Sequence, residues 1–164
     1  MCKEIYLDSD RINRWLTLGA NLGVLVGIIL LVVELDQNRD MMRSQIRYEV
    51  FQDEAIYNLT VATDRELVEV IHRAGQGEQL DGADRLQNFI RLLAYFRIQE
   101  NIHYQFRQGL FDWDEYESIK KARQGFVGVS RETAKAWCRI RQGTSVEFRE
   151  NMDQAFTGLD CEEI

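Results

Sequence analysis

Residues 15–33 decide how this chain folds, because they form 19 consecutive positions without a charge. The stretch reads Trp15-Leu-Thr-Leu-Gly-Ala-Asn-Leu-Gly-Val-Leu-Val-Gly-Ile-Ile-Leu-Leu-Val-Val33. A helix rises about 1.5 Å per residue and the hydrocarbon core of a bilayer is about 30 Å thick, so about 20 apolar residues are needed to cross it. The stretch is just long enough, and it predicts a transmembrane helix.

A signal peptide and a buried core helix are the two alternatives to a membrane span. A cleavable signal has a shorter apolar run followed by a small-residue cleavage site, whereas this run leads directly into Glu34. A core helix would show a polar stripe, and here only Thr17 and Asn21 are polar. Trp15 stands at the boundary of the run with Arg14 outside it, which is typical of a membrane–water interface and favours the span.

Small residues within the run predict that the span associates with another helix. Gly19, Gly23 and Gly27 follow one another at four-residue spacing and share one stripe of the helix. Such glycines let two backbones approach closely in lipid, where there is no hydrophobic drive for association. Together with Asn21 they form the predicted helix–helix interface of a homo-oligomer or of a complex with a partner membrane protein. Asn21 and Thr17 also leave an oligomeric pore or channel subunit open as an alternative function.

The remainder of the chain has the pattern of a string of helices. It has no proline and no alternation of β-branched and polar residues, and it is rich in side chains that cap helix starts. The predicted starts are Thr63 with Glu66, Asp81 with Asp84, Asp112 with Glu115, Ser130, and Thr144 with Glu147. We therefore predict an all-α fold with one N-terminal transmembrane helix that continues into a long juxtamembrane helix, followed by a compact bundle of about five helices.

These patterns also predict how the chain is divided. The expected parts are an N-terminal flank (1–14), the transmembrane helix (15–34), the juxtamembrane helix (35–62), the helical bundle domain (63–158) and a C-terminal tail (159–164). The bundle is long enough to bury a core of its own. Its longest predicted helix begins near Gly82, and its expected apolar face consists of Leu86, Phe89, Ile90, Leu93 and Phe96.

Two E-x-x-H motifs are the strongest candidates for metal chemistry in the chain. Glu69 precedes His72, and Glu100 precedes His103, in each case by three residues. Paired motifs of this kind on the inward faces of a helical bundle bind two metal ions. The periodicity instead places the first pair on a polar face and the second pair on a buried one, so a shared metal site is not expected. A metal-dependent enzyme that uses Glu100 and His103 stays open as a further alternative.

The second motif needs a structural explanation, because a buried carboxylate costs several kcal/mol unless it is paired and hydrogen-bonded. The polar side chains around it predict a buried network that fixes the register of the helices. Its expected members are Arg97, Glu100, Asn101, His103 and Tyr104. The chain has no phosphate-binding glycine loop and no dinucleotide fingerprint. We therefore predict no catalytic residue, no metal and no cofactor.

Charge and cysteine content indicate partners and compartment. The net charge is −7 and the pI about 4.9, which argues against nucleic acid as a partner, since binding it requires cationic groups that neutralise phosphates. Membrane lipid is the expected environment of the span. Cys2, Cys138 and Cys161 are odd in number and follow no pattern, which is typical of a reducing compartment. We therefore expect the helical domain on the cytoplasmic side.

Three segments carry a resemblance to known proteins. They are Glu100-Asn-Ile-His-Tyr-Gln-Phe-Arg-Gln-Gly-Leu-Phe-Asp112, the juxtamembrane Gln37-Asn-Arg-Asp-Met-Met-Arg43, and Val146-Glu-Phe-Arg149. The chain resembles a widespread family of uncharacterised bacterial proteins that have an N-terminal hydrophobic helix and a helical domain with an E-N-x-x-Y-Q-Y-x-x-G-L-L-D-like stretch. The resemblance implies a location in the bacterial inner membrane and leaves the activity open. The function predicted from all these patterns is that of a non-enzymatic, single-pass membrane protein, acting as an oligomeric scaffold or as an accessory subunit of a membrane assembly.

Overall fold

A computed structural model of the chain describes residues 9–127, 130–156 and 159–162, and for residues 10 and 124–127 it describes the backbone alone. The described part contains no strand. It consists of α1 (Ser9–Thr63), α2 (Arg65–Gly75), α3 (Gly82–Arg107), α4 (Trp113–Val127), α5 (Arg131–Ile140) and α6 (Val146–Asp153), with a short 3₁₀ turn (Arg141–Gly143) between the last two. The predicted all-α fold, with a long apolar first helix followed by a bundle of five, is confirmed.

The chain divides into two compact units, and the boundary between them lies inside α1. The first unit is Met1–Met42 and holds the apolar stretch, while the second unit is Arg43–Ile164. The bundle was predicted to begin at residue 63, but the second unit also includes the last 21 residues of α1. The reason is that Val50 of α1 is 2% exposed and packs in one apolar cluster with Ile102 of α3 and with Tyr116 of α4.

Side-chain caps define most of the helix starts in the second unit. The Asp81 carboxylate accepts a hydrogen bond from the Asp84 backbone N–H at 3.0 Å, and the Ser130 hydroxyl accepts one from the Thr133 N–H at 3.1 Å, both as predicted. The cap of α2 is Asp64, not the predicted Thr63, and its carboxylate accepts from the Leu67 N–H at 3.0 Å. The cap position of α6 is likewise one residue later than predicted.

The helix α3 is central to the second unit. It contacts α2, α4, α5 and α6, and the largest fully buried side chains gather around it. Phe96 of α3 lies with its ring centroid 5.2 Å from that of Trp137 on α5, and Trp137 meets Phe148 of α6 edge to face at 5.9 Å. These three side chains are completely buried, so the aromatic cluster joins α3, α5 and α6 into one core.

The apolar face predicted for α3 is only partly correct. Phe96 is buried, but Leu86 and Ile90 are 58% and 55% exposed. The buried stripe instead consists of Asn88, Leu92, Tyr95, Phe96, Gln99, Ile102 and His103. At about 100° per residue, Leu86 and Ile90 lie about 140° and 180° around the helix from Gln99. The other helices therefore pack on a face that includes polar residues and leave part of the apolar face uncovered.

Candidate functional site

The apolar stretch of α1 makes no packing contact in the first unit. Its side chains are exposed throughout residues 15–33, apart from a partial exposure at Gly27, and none of its most apolar window is buried. α1 is the one helix of the described residues that is long and apolar enough to cross a membrane. A Cβ added at Gly19, Gly23 or Gly27 would meet nothing within 4 Å, so all three predicted interface glycines face open space. Asn21 is exposed as well.

The predicted polar residues of α3 separate into groups with different surroundings. Arg97 and Glu100 form an ion pair at 2.6 Å, and the other carboxylate oxygen of Glu100 accepts a hydrogen bond from the Ser145 N–H at 2.8 Å. Arg97 also donates to the Gly143 carbonyl at 3.1 Å. Both contacts lie at the connection between α5 and α6. The pair therefore holds this connection against α3, which is a structural role.

The prediction of a single buried network is wrong for Arg97, Asn101 and Tyr104. All three are exposed, Tyr104 by 55%, and the Asn101 side-chain oxygen accepts from Gln105 on the same helix at 3.2 Å. They lie about 140° to 200° around α3 from buried Gln99, on the same side as Leu86 and Ile90. Their distance along the sequence from Glu100 and His103 is short, but the direction in which they point is different.

His103 is buried as predicted, and it belongs to a polar network that the sequence did not reveal. Its Nδ1 lies 2.6 Å from the Tyr116 hydroxyl of α4, which in turn donates to the Asn151 side-chain oxygen of α6 at 3.4 Å. With the hydroxyl donating to Asn151, the donor to the tyrosine oxygen is the His103 Nδ1–H. Burial, together with the nearby Arg123 guanidinium, lowers the pKa of His103. The imidazole is therefore neutral at neutral pH.

Arg123 of α4 completes this network. It is 2% exposed and donates from Nη2 to the Asn151 side-chain oxygen at 2.5 Å, with its guanidinium carbon 5.9 Å from the centre of the Phe148 ring. Within the described residues these partners are neutral, and no carboxylate forms an ion pair with this buried cation. A buried guanidinium that has only neutral partners binds its neighbours at a high desolvation cost. The network joins α3, α4 and α6 through side chains that are far apart in sequence.

A cavity of about 240 Å³ lies between α1, α3 and α4, next to this network. Its polar lining includes Glu54, Tyr57, Gln99 and Arg123. Burial raises the pKa of the Glu54 carboxyl, and the hydrogen bond from the Gln99 amide at 3.5 Å opposes that rise. The described lining presents no nucleophile hydrogen-bonded to a base, which is the arrangement that covalent catalysis requires. Together, the cavity and the network make the interior of the second unit polar.

The structure separates the two E-x-x-H motifs. Glu69 and His72 are exposed on α2, while His103 is buried with its Nδ1 directed to Tyr116. Glu100 is engaged with Arg97 and the Ser145 N–H. Among the residues that the structure describes, no group of three or more histidine, cysteine, aspartate or glutamate side chains is placed to hold a metal ion.

Two of the three cysteines form a disulfide bond, which contradicts the interpretation of the cysteines as unpatterned thiols. Cys138 of α5 is bonded to Cys161, with the two Cα atoms 5.3 Å apart and 23 positions between them in sequence. Cys2 lies outside the described residues. The bond attaches residues 159–162 to α5. Spacing along the chain could not reveal this pair, because the turn after α6 is what returns Cys161 to the side of α5.

Compared with models of protein families, with curated proteins and with solved structures, the chain matches none. The resemblance carried by residues 100–112 and by the juxtamembrane segment therefore stays a prediction.

Proposed function

We propose that the chain is a single-pass membrane protein whose helical domain has a non-enzymatic role, as a scaffold or as an accessory subunit of a membrane assembly. The observation that carries this proposal is the exposed apolar stretch of α1. Trp15 is 71% exposed and Leu30 63% exposed, and the residues between them are equally open. Contiguous apolar surface of this extent is unfavourable in water, and a bilayer removes it from water. The location in the bacterial inner membrane rests on the resemblance described above.

The open glycine stripe supports self-association of the span. Gly19, Gly23 and Gly27 leave room for a second helix along one side of α1. A pore lined by polar side chains is less well supported, because the Thr17 hydroxyl already donates to the Asn13 carbonyl of its own helix at 2.9 Å. The metal-dependent alternative is also less well supported, since Glu100 and His103 are engaged with protein partners.

The orientation that we propose is the reverse of the one expected from the cysteine count. Disulfide bonds form and persist in oxidising compartments and are rare where glutathione and thioredoxin keep thiols reduced. The Cys138–Cys161 bond therefore favours a helical domain on the oxidising, non-cytoplasmic side of the membrane.

Replacing Gly23 by leucine is expected to reduce the oligomer in size, because the new side chain separates two helices that approach along the glycine stripe. The measurement is the native mass of the full chain extracted in mild detergent and again in lipid nanodiscs. Val32→Leu is the matched control, since residue 32 lies about 180° around the helix and the change adds bulk on the opposite face. An oligomer of wild-type size in the Gly23 variant would refute self-association through this stripe.

Thiol labelling of native membranes is expected to show a protected pair of cysteines. In a Cys2→Ser background, a maleimide polymer added under denaturing conditions should modify no thiol before reduction and both Cys138 and Cys161 after it. The additional change Cys138→Ser is the control, because it should leave Cys161 reactive without reduction. Labelling of both thiols without a reductant would contradict the disulfide in the cell, and with it the proposed orientation.

A further inference from the structure

The second unit contains a larger cavity, of about 330 Å³, on the side of α3 away from α4. It lies between the connection from α2 to α3, the first half of α3, and α5. Its floor is apolar and buried, formed by Leu80, Leu92 and Ala136, which are 4%, 1% and 4% exposed. Ligand cavities in proteins typically measure about 300–1,000 Å³. This one therefore has room for a small metabolite and not for a large cofactor.

The rim of this cavity is cationic, although the chain as a whole carries a net charge of −7. Arg131, Lys135 and Arg139 follow one another at four-residue spacing on α5, and Arg85 adds a fourth cation from α3. At this spacing the three residues of α5 lie on one stripe of the helix. An acidic chain with four cations around one cavity has concentrated its positive charge at that place.

Most of this positive charge is not neutralised by the protein. Two carboxylates also line the cavity, but Glu132 pairs with Lys135 at 2.8 Å, and Glu78 pairs with Arg73 at 3.6 Å. Arg85 donates to the Leu80 carbonyl at 2.9 Å, which is a neutral partner. For Arg85, Arg131 and Arg139 the described part of the chain provides no ion pair. Three guanidinium groups therefore surround the cavity without a counter-charge.

This arrangement is suited to an anion. A guanidinium presents N–H donors in a planar fork that matches carboxylate and phosphate oxygens, and hydrogen bonds between charged partners are the strong ones. A cleft with low-dielectric walls also concentrates the field of the charges that line it. The apolar floor contributes differently, because it buries a hydrocarbon or aromatic group and gains nothing from a bare inorganic ion.

We propose that this cavity binds a small organic anion, with a carboxylate or phosphate group held by Arg85, Arg131 and Arg139 and an apolar body against Leu80 and Leu92. The same chemistry could be supplied by a soluble metabolite or by the headgroup of an anionic phospholipid. The proposed membrane anchoring does not depend on this site, and the site does not depend on the anchoring.

Calorimetric titration of the full chain in a non-ionic detergent tests the proposal. The probes are phenyl phosphate, benzoate, inorganic phosphate and a short-chain phosphatidic acid, each at up to millimolar concentration. We expect at least one organic anion to bind more tightly than inorganic phosphate, since only the organic probes contact the apolar floor. Saturable binding of phenyl phosphate or benzoate would identify a soluble metabolite as the source. Binding of phosphatidic acid alone would identify a lipid headgroup.

The variant Arg131→Gln/Arg139→Gln should weaken that binding about tenfold or more, because each change removes charged hydrogen bonds. Both residues are exposed, so the fold is not expected to suffer. The matched control is Arg65→Gln/Lys121→Gln, which removes the same charge at side chains that are 90% and 69% exposed and do not line the cavity. It should bind as the wild type does.

Arg131→Lys/Arg139→Lys keeps the charge and removes the planar fork, so an intermediate affinity is expected. Either of two results would overturn the proposal. One is that none of the organic probes binds to the wild type. The other is that the cavity variant and the control variant lose affinity equally, which would show a general effect of net charge and no specific site.

Discussion

Arginine at positions 25 and 29 is expected to remove the chain from the membrane. Leu25 and Ile29 lie near the middle of the apolar stretch, one helical turn apart, and both are about half exposed. On insertion scales an arginine at the centre of a transmembrane helix costs about 2.5–3.5 kcal/mol, so Leu25→Arg/Ile29→Arg costs roughly 5–7 kcal/mol. Because a stretch of 19 residues barely spans the hydrocarbon core, it has no spare length over which to shift.

Fractionation by alkaline carbonate extraction checks this expectation. The wild type should remain in the pellet with the membranes, and the double variant should be found in the supernatant or in an aggregate that carries no lipid. Gln37→Arg/Met41→Arg is the matched control, since it adds two arginines at the same spacing just beyond the apolar stretch and should stay in the membrane fraction. A double variant at 25 and 29 that resists extraction as the wild type does would refute the span.

Replacement of Phe96 by alanine is expected to cause the largest loss of stability from a single change in the bundle. Phe96 is completely buried, and its ring centroid lies 5.2 Å from that of Trp137, 5.6 Å from that of Tyr95 and 6.5 Å from that of Phe156. Truncation of a buried phenylalanine to alanine typically costs about 3–5 kcal/mol, because contacts are lost and a cavity remains. Domains are typically stable by only about 5–15 kcal/mol in all, so the variant should be close to unfolding.

Urea unfolding of the full chain in detergent measures this effect. Far-UV circular dichroism follows the helices, and tryptophan fluorescence follows the surroundings of Trp137. Leu86→Ala is the control on the same helix, since Leu86 is 58% exposed and its truncation should change the free energy of unfolding by about 0.5 kcal/mol or less. Equal urea midpoints for the two variants would contradict the central position of Phe96 in the core.

Features that depend on neighbours in sequence could be predicted well. The caps at Asp81 and Ser130 are correct because a cap is a hydrogen bond between residues three positions apart. Gly109 ends α3 with a backbone φ of +72°, a conformation that glycine adopts without steric cost. The errors at Thr63 and Thr144 are of a single residue, since the adjacent Asp64 and Ser145 are competing cap residues.

The candidate sites could be predicted much less well. The cation-lined cavity had a signal in the four-residue spacing of Arg131, Lys135 and Arg139, but that spacing is equally typical of a solvated helix face. Arg123 gave no sign in the sequence that it is buried. Its surroundings are created by Asn151 and Phe148 of α6, and the chain must fold before they meet.

The sequence by itself determined the helical class, most helix boundaries and the one apolar stretch able to cross a membrane, because these depend on composition and on periodicity within a few residues. Tertiary structure alone decided which face of α3 is covered, that Cys138 meets Cys161, and that four cations surround one cavity. The physical reason is that burial and pairing depend on which helices pack together. Many packings satisfy the same local pattern, and only the contacts among distant segments select one of them.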